Sequence, residues 1–309
     1  MITSEPRVTR AGFALPAVLW VLVGVTAVTL AGTIAARDAV MTAQNRVDHL
    51  RAAWRAEGCL DIARGNVALA LTDGDRAPAR WRAIDSVLVT SRELDEAGCT
   101  VSARAAGAAI DVNAADAERL RRAFVALGSG DAEADSLVDA VFDWRDGDDE
   151  PRPLGAESEW YRSRRELPPR NAPIAAPGEL RRIRGLAAVA GLDSIFGVEP
   201  GRAPLGRAPL AVIASLPGFG DEAVARLEEL RLRGQPPADL LAFSASLSRE
   251  ARAALLARYP ELVALVTTDP DAWIVRSSAV EGSRSVGATI EVRLVRAGTR
   301  AAIVRRRTW

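Results

Sequence analysis

Lysine is absent from this 309-residue sequence, so all 40 of its basic residues are arginines, and histidine occurs once, as His49. We attribute the missing lysine to a GC-rich genome rather than to chemistry. A single histidine argues against histidine-based metal sites and against a Ser-His-Asp triad. The arginines are offset by 40 acidic residues, and a chain without net charge has no overall attraction to nucleic acid or anionic lipid. These absences indicate that the protein is not an enzyme.

Cysteine is also scarce, because the chain contains only Cys59 and Cys99. A single pair in an otherwise cysteine-free chain is typical of a disulfide formed in an oxidising compartment such as the periplasm. Two buried free thiols are the alternative. If the two residues are bonded, the loop that they close stabilises the fold by about 3–4 kcal/mol on the chain-entropy estimate.

The N-terminal region has a long uncharged stretch, from Ala11 to Ala36, which follows Arg7 and Arg10. About 24 apolar residues are enough to cross the roughly 30 Å hydrocarbon core of a bilayer, whereas a cleaved signal peptide has an apolar region of only about 7–15 residues. The sequence therefore predicts a transmembrane segment over residues 13–36. The two arginines favour a cytoplasmic N-terminus, although four arginines between residues 37 and 55 weaken that bias.

Three interpretations of this segment are open. It is a plain signal anchor, or a long signal peptide cleaved near Ala35 and Ala36, or a leader of the type IV pilin kind. In a pilin-like leader a short basic peptide ends in glycine, a hydrophobic residue follows, and the apolar run stays on the mature protein. Gly12 and Phe13 fit that pattern. Pilins and most pseudopilins carry glutamate at the fifth mature position, but Ala17 occupies it here.

Residues 37–71 predict a helix that continues out of the membrane, because they lack proline and are rich in alanine, arginine, leucine and glutamate. Val47, Leu50 and Trp54 share one face of that helix. We expect Trp54, like Trp81 and Trp273, to lie in the core. Residues 86–90 and 99–103 are typical of short strands, and residues 93–98 of the turn between them.

A helical block is predicted for most of the middle of the chain. Helices are expected over 115–127, capped by Asn113 or Asp111, and over 131–144. Residues 216–227 resemble a helix-hairpin-helix. Strands return only at 273–277, 288–295 and 301–306. The sequence thus predicts an α+β fold of the type IV pilin kind, in which a long N-terminal helix packs on a small antiparallel sheet and a large α-helical domain is inserted.

The densest group of polar residues lies between 143 and 161, with the sequence DWRDGDDEPRPLGAESEWY. So many carboxylates at close spacing repel one another unless they are solvated or bind a hard cation such as Ca²⁺. The spacing is not that of an EF-hand, because the twelfth position counted from Asp143 is Leu154 instead of a bidentate glutamate. On the residues alone, a solvated acidic loop and a calcium site are equally supported.

This segment resembles the signature of the type II secretion minor pseudopilin K family. Members of that family typically have Asp-Trp-x-Asp-x-Asp, then Pro, then Gly-Ala-Glu, then Tyr, and they lack the glutamate at the fifth mature position. They also carry a large helical domain inserted in the pilin head. The resemblance implies that the acidic segment binds Ca²⁺. The ligands it implies are Asp143, Asp146, Asp148 and Glu157 and, less directly, Asp149, Glu150 and Glu159.

The resemblance also implies a structural role. Family members lie at the tip of a short periplasmic pseudopilus with the minor pseudopilins I and J, and they help to start its assembly for protein export. A prepilin peptidase would cut after Gly12, with methylation of Phe13. The protein would cross the bacterial inner membrane once, with its N-terminus in the cytoplasm and its C-terminal domain in the periplasm.

The expected organisation has five parts. Residues 1–12 form the leader, residues 13–36 the transmembrane half of the first helix, and residues 37–110 the first part of the pilin-like head. Residues 111–270 form the inserted helical domain, and residues 271–309 supply the last strands of the head.

The principal alternative is a membrane-anchored DNA-binding protein. The hairpin after Leu216 could present backbone N–H groups to phosphate, with Arg226 and Arg231 nearby. Such hairpins also serve as packing units. Because the chain is neutral and the acidic segment would repel DNA, we expect no nucleic-acid partner.

Overall fold

The computed structural model describes residues 14–283 and 285–308. Its first element is a continuous helix of 58 residues, α1 (Ala14–Leu71), which ends as expected just before Asp73 and Gly74. The N-terminal part of α1 is apolar, is not covered by the rest of the chain, and is long enough to cross a membrane. The expected cleavage junction between Gly12 and Phe13 lies outside the described residues.

Short elements connect α1 to the middle of the chain: α2 (Ala77–Arg82), α3 (Ile84–Val89), α4 (Arg92–Glu96), β1 (Thr100–Ala105) and β2 (Ile110–Asp111). The first half of the helical block contains α5 (Ala117–Ala126), α6 (Asp131–Arg145), α7 (Ser158–Ser163), 3₁₀ helices Pro177–Arg182 and Leu186–Ala188, and α8 (Leu192–Ile195). Its second half contains β3 (Phe196–Gly197), β4 (Ala203–Pro204), α9 (Leu210–Ala214), α10 (Asp221–Leu232), α11 (Leu240–Ala245), α12 (Arg249–Ala257), α13 (Tyr259–Leu265) and β5 (Val266–Thr267).

The last three strands are β6 (Ala272–Glu281), β7 (Val286–Ala297) and β8 (Arg300–Thr308), longer than expected but at the expected places. They form a four-stranded antiparallel sheet with β1, in the order β1-β6-β7-β8. One face of this sheet packs on the second half of α1. The chain leaves the sheet after β1 and returns at β6, so the helical block lies between two neighbouring strands. The expected α+β, pilin-like fold class is confirmed.

Two hydrophobic cores correspond to this arrangement. The core of the head lies between α1 and the sheet and contains both Trp81 and Trp273, as expected. The indole Nε1 of Trp273 donates to the carbonyl of Trp81 over 2.8 Å. The second core lies wholly within the helical block, around residues such as Phe124, Trp144 and Phe196. Each part of the molecule therefore buries its own apolar surface.

Some local expectations are wrong. Residues 86–90 belong to helix α3 rather than to a strand, because Ile84 and Leu88, four residues apart, are buried together in the head core. The segment expected to be a turn contains α4 and turns only at Gly98, where φ is +68°. Trp54 is 75% exposed and does not lie in the core. The reason is that the opposite face of α1, which carries Ala52 and Ala56, is the one that packs against the sheet.

The expected cap of α5 is also wrong. Asp116 caps this helix, and its Oδ1 accepts from the backbone N–H of Arg119 over 2.8 Å. Asp111 instead accepts from the backbone N–H of Asn113 over 3.0 Å. The Asn113 side chain bridges to both backbone groups of Ile174. These residues therefore join distant segments of the helical block rather than begin a helix.

Cys59 on α1 and Cys99, just before β1, are joined by a disulfide. Cys59 is buried in the head core. The bond therefore ties the long helix to the start of the sheet across three short helices. The alternative of two free thiols does not apply to this structure.

Candidate metal centre

The end of α6 places the first acidic residues of the 143–161 segment. Asp143 and Trp144 are both fully buried on the last turn of that helix. The indole Nε1 of Trp144 donates to Glu179 Oε1 over 2.9 Å, and its ring meets the Tyr161 ring edge-on at 5.4 Å. The Tyr161 hydroxyl in turn accepts from the backbone N–H of Arg184 over 2.9 Å. These contacts hold α6 and α7 in a defined position on either side of the acidic loop.

The Asp143 carboxylate folds the loop back on the helix. Both of its oxygens lie 3.2 Å from the backbone nitrogen of Arg152, which donates to them. The loop passes so close that a Cβ on Gly155 would lie 1.9 Å from Asp143 Oδ2. Only glycine fits at that position. The Gly-Ala-Glu part of the segment is therefore explained by backbone packing against a buried carboxylate.

Three carboxylates meet in front of Asp143. Asp146, Asp148 and Glu157 each offer an oxygen, and these oxygens lie within 4.8 Å of one another. Glu157 is only 4% exposed. Both of its carboxylate oxygens, and Oδ1 of Asp146, are buried without a hydrogen-bond partner among the described residues. Buried oxygens without donors are costly, and a cation that they coordinate would satisfy them.

Burial and mutual repulsion dominate the electrostatics of the cluster. Burial, followed by the neighbouring charge of Asp143, raises the pKa of Glu157 to about 8. Burial also raises the pKa of Asp143 and that of Asp146 above the ordinary value. Carboxylates crowded in this way repel one another when ionised, so they retain protons to a higher pH unless a cation is bound between them.

Of the remaining acidic residues, Asp149 is close enough to Glu157 that the pair lowers the pKa of Asp149 and raises that of Glu157. Asp149 accepts from the backbone N–H of Ser158 over 3.3 Å, and hydrogen bonding from the Ser158 side chain is the main cause that lowers the pKa of Asp149. Glu150 and Glu159 are exposed. The three-residue cluster does not include Asp149, Glu150 or Glu159.

Sequence reasoning missed Asn171. Its side-chain N–H₂ donates to the carbonyl of Asp148, and its Oδ1 is buried without a hydrogen-bond partner among the described residues. Asn171 is ten residues beyond the acidic segment, so no spacing rule pointed to it. Its positive φ of 48° shows that the backbone turns sharply at this position. Asn171 therefore contacts the acidic loop through its backbone at Asp148.

An oxygen-only set of this kind fits Ca²⁺, which takes six to eight oxygens at about 2.3–2.6 Å from flexible loops. Asp146, Asp148 and Glu157 are the residues that would hold the ion. Carbonyls of the loop and water would complete its coordination. The burial of oxygens without hydrogen-bond partners, rather than the number of acidic residues, indicates that the cluster suits Ca²⁺.

The helix-hairpin-helix segment has no comparable opening. Its turn packs on α12, so that a Cβ on Gly218 would lie 3.0 Å from the carbonyl oxygen of Ala254. The Arg231 guanidinium donates to the carbonyls of Leu205 and Ala208 over 2.6–2.8 Å. Arg226 pairs with Glu229 at 2.5 Å. The residues that the DNA-binding alternative requires are therefore occupied by internal contacts.

This chain is similar to known proteins both in sequence and in fold. Residues 96–191 match the family model of type II secretion system protein K. This range contains the whole candidate metal centre, and the match confirms the resemblance to that family. The chain is also similar to one chain in the crystal structure of the GspK-GspI-GspJ complex from the type 2 secretion system of enterotoxigenic Escherichia coli. That similarity has a TM-score of 0.59 at 16% identity and covers 86% of this chain and 98% of the other.

At this identity the structural similarity shows a shared fold. No curated protein sequence matches the chain.

Proposed function

We propose that this chain, whose residues 96–191 match protein K of type II secretion, is a minor pseudopilin at the tip of the pseudopilus. In this role it is a structural component rather than a catalyst. One observation carries the proposal. The acidic cluster, whose buried oxygens have no hydrogen-bond partner among the described residues, lies within the matched range of a chain with a pilin-like fold. Starting the assembly of the pseudopilus for protein export is part of the same proposal.

A tip position has a physical basis in α1. Ala17 stands where most pilins have glutamate. A carboxylate inside the membrane is costly and is expected to pair with the terminal amine of a neighbouring subunit. A subunit without it needs no such partner above it. The helical block, inserted between β1 and β6, would also obstruct further subunits on that side.

Processing by a prepilin peptidase after Gly12 is the second element of the proposal. Mature protein purified from cells with and without the peptidase should be analysed by intact mass. When the peptidase is present, we expect a chain that begins with N-methyl-Phe13. The mature chain would lie in the inner membrane with its head in the periplasm. An unprocessed N-terminus, or one near Arg37, would overturn this part of the proposal.

A calcium-binding role for Asp146, Asp148 and Glu157 is the third element. When bound, Ca²⁺ would supply the positive charge that the cluster lacks and would hold the loop to α6 and α7. The full chain in detergent, stripped with EDTA, should gain about 2.7 kcal/mol of unfolding free energy at a calcium concentration of 100 times Kd.

The variants Asp146→Asn and Glu157→Gln test the assignment. We expect both to lose the calcium-dependent rise in melting temperature, whereas Glu150→Gln and Glu159→Gln keep it. Glu150 and Glu159 are exposed, so these two changes are matched controls. A parent protein that does not respond to calcium, or a full response in Asp146→Asn and Glu157→Gln, would show that the centre does not bind calcium.

The partners proposed for the chain are the minor pseudopilins I and J, which would contact α1. Outside the membrane, one face of α1 carries apolar residues at alternating spacings of three and four, all exposed: Val40, Ala43, Val47, Leu50 and Trp54. This is the spacing of a coiled-coil seam. Leu50 and Trp54 also line a groove of about 730 Å³ between α1 and the ends of β7 and β8. A parallel helix from another membrane-anchored subunit fits this surface.

Co-purification with proteins I and J tests this surface. Trp54→Ala should weaken the complex without changing the melting temperature, because Trp54 is 75% exposed. Leu69→Ala is the matched control, since Leu69 is 73% exposed on the same helix but lies beyond the seam. Equal recovery of the partners by both variants would exclude the seam as their binding surface.

A further inference from the structure

A second polar site lies between the head and the helical block. The face of the sheet that points away from α1 forms the floor of a cleft of about 700 Å³, and the 3₁₀ helix Pro177–Arg182 together with Asp193 forms its wall. We call it the interdomain cleft. Its polar floor residues are Ser102, Arg104, Arg276, Thr289 and Glu291. None of them belongs to the metal centre or to the α1 seam.

The strand register explains the composition of the floor. Ser102, Arg276, Glu291 and Arg307 are cross-strand neighbours in one row across the four strands. Side chains alternate between the two faces of a strand, so Arg104 lies on the same face as Ser102. Across the whole outer face there are five arginines: Arg104, Arg276, Arg293, Arg305 and Arg307.

Only two glutamates balance these arginines on the outer face. Glu199, from the helical block, lies 3.0 Å from Arg305 and 2.8 Å from Arg307. Glu291 lies 2.9 Å from Arg276. Asp193, on the opposite wall, is already paired with Arg181. Of the residues that line the cleft, Arg104 and Arg276 lie with Glu291 on the floor, so the floor carries one excess positive charge.

Arg104 carries the excess charge. It is partly buried, and no hydrogen bond or ion pair joins its guanidinium to any residue in the described ranges 14–283 and 285–308. Burial lowers its pKa, and the charges of Glu291 and Glu199 act in the opposite sense. An arginine remains protonated at neutral pH despite such a shift. A partly buried guanidinium without such a partner is stabilised by an anion that reaches it.

We propose that the interdomain cleft binds an extended acidic segment of another polypeptide, whose carboxylates pair with Arg104 and reach the hydroxyls of Ser102 and Thr289. The cleft crosses β1, β6 and β7, which spans about 10 Å at the usual strand spacing of ~4.8 Å. This length matches about three residues of extended chain at ~3.3 Å each. A small anion would contact only one end of it. The Arg104 guanidinium lies beside Gly197 of the helical block, where a Cβ would be 3.6 Å from Nη2, an ordinary contact distance.

The test uses the full chain in detergent with saturating calcium, so that the metal centre does not contribute free carboxylates. Fluorescence anisotropy at low ionic strength measures the affinity of labelled hexaglutamate and of labelled hexaserine. We expect hexaglutamate to bind and hexaserine not to bind. Arg104→Gln should weaken hexaglutamate by about tenfold, the loss of one charge-assisted contact. The matched control, Arg300→Gln, removes an exposed arginine outside the cleft and should change the affinity by less than about twofold.

A second variant keeps the proposal testable if Arg104→Gln is unstable. Ser102 is exposed, so Ser102→Glu should fold normally and should block hexaglutamate by placing a carboxylate beside Arg104. Unchanged affinity in either folded variant would overturn the proposal. Equal binding of hexaserine, or complete displacement of hexaglutamate by an equal concentration of inorganic phosphate, would overturn it as well. None of these results bears on the proposed partners at the α1 seam.

Discussion

Asp143 and Glu157 differ from the other carboxylates of the acidic segment because the fold removes them from water. Asp143 accepts the backbone N–H of Arg152, whereas neither oxygen of Glu157 has a hydrogen-bond donor among the described residues. These two acidic residues, at the two ends of the loop, thus have different surroundings. Asp143 shapes the loop, whereas the Glu157 carboxylate is buried without a donor among the described residues.

The first prediction at this scale concerns pH. In EDTA, the pKa of Glu157 in the folded protein is about 8, above its ordinary value of 4.5. Between these values the folded state binds more protons than the unfolded state, so stability falls as the pH rises from about 4.5 to about 8. Thermal unfolding across this range should show the fall in the parent and a shallower one in Glu157→Gln. Exposed Glu159→Gln should behave as the parent. An identical slope in Glu157→Gln would contradict the prediction.

The second prediction concerns Gly155. A Cβ at this position would meet the buried Asp143 carboxylate at 1.9 Å, whereas a Cβ on Gly147, in the same loop, has nothing within 4 Å. Gly155→Ala should cost about 1–3 kcal/mol of unfolding free energy, as overpacking does, and should weaken calcium binding. Gly147→Ala should change both by much less. Chemical denaturation and calcium titration of the two variants check this. Equal behaviour would show that the loop is free to move away from Asp143.

At the scale of elements, the two faces of α1 lie in different environments, one against the sheet and the other exposed. Within the head, Ala52, Ala56 and Ala63 pack against the sheet. The opposite face, with Leu50 and Trp54, stays exposed. Small residues on the inner face let the sheet approach the helix closely, while large residues lie on the exposed face.

The disulfide is the subject of the third prediction. It joins residues 40 positions apart, and closing a loop of that length stabilises a fold by about 4 kcal/mol on the chain-entropy estimate. The double variant Cys59→Ser, Cys99→Ser should lose about that amount in chemical denaturation. Dithiothreitol is the control: it should lower the stability of the parent toward that of the double variant and leave the double variant unchanged. A parent insensitive to reduction would contradict the prediction.

The fourth prediction concerns the hairpin turn. Gly218 has a φ of +75° and touches α12, while Gly220 has open space where a Cβ would lie. Gly218→Ala should therefore cost about 1–3 kcal/mol, and Gly220→Ala should cost less than about 1 kcal/mol. Melting temperatures of the two variants provide the measurement. If both are equally mild, α12 does not constrain the turn, and the turn would be open to outside ligands.

At the scale of the whole molecule, the head and the helical block are joined by charges as well as by the chain. Glu199 is buried and lies within 4 Å of Arg293, Arg305 and Arg307 on the outer face of the sheet. The Arg293 guanidinium also donates to the carbonyl of Pro200 over 2.7 Å. These contacts hold one end of the interdomain cleft.

The fifth prediction tests this junction. Glu199→Gln removes a buried charge that three arginines share, and breaking such a pair costs about 3 kcal/mol. Hydrogen exchange should become faster in β8 and around β3, where the two parts meet. Glu261→Gln breaks an exposed pair with Arg258 and should cost about 0.5 kcal/mol or less. If exchange rises equally in both variants, Glu199 does not hold the two parts together.

Much of the fold was predictable because it depends on local pattern. The apolar run, the end of α1 at Leu71, helix α6 and the last three strands follow from periodicity and breaker residues. The strand expected at residues 86–90 failed because two β-branched residues, Val87 and Val89, suggested an extended chain. The segment is helical because a helix buries Ile84 and Leu88 together. Local preference was overridden by packing on the head core.

The candidate metal centre was predictable in part for the same reason. The acidic residues are close in sequence, so the segment could be found without the fold. Which carboxylates converge depends on how the loop returns on α6, and that path is set by Asp143, Gly155 and the aromatic contacts of Trp144. Asn171 contacts the backbone of Asp148 from ten residues beyond the segment.

The sequence by itself determined the apolar helix long enough to span a membrane, the α+β class and the place of the acidic segment, because these depend on composition and on residues near one another in the chain. Only the tertiary structure decided which carboxylates lose water, that Trp54 is exposed, and that Arg104 faces a cleft with no hydrogen bond or ion pair to the described residues. These properties depend on contacts between segments as far apart as β1 and β6. Burial and charge pairing arise from such contacts, and no local pattern specifies them.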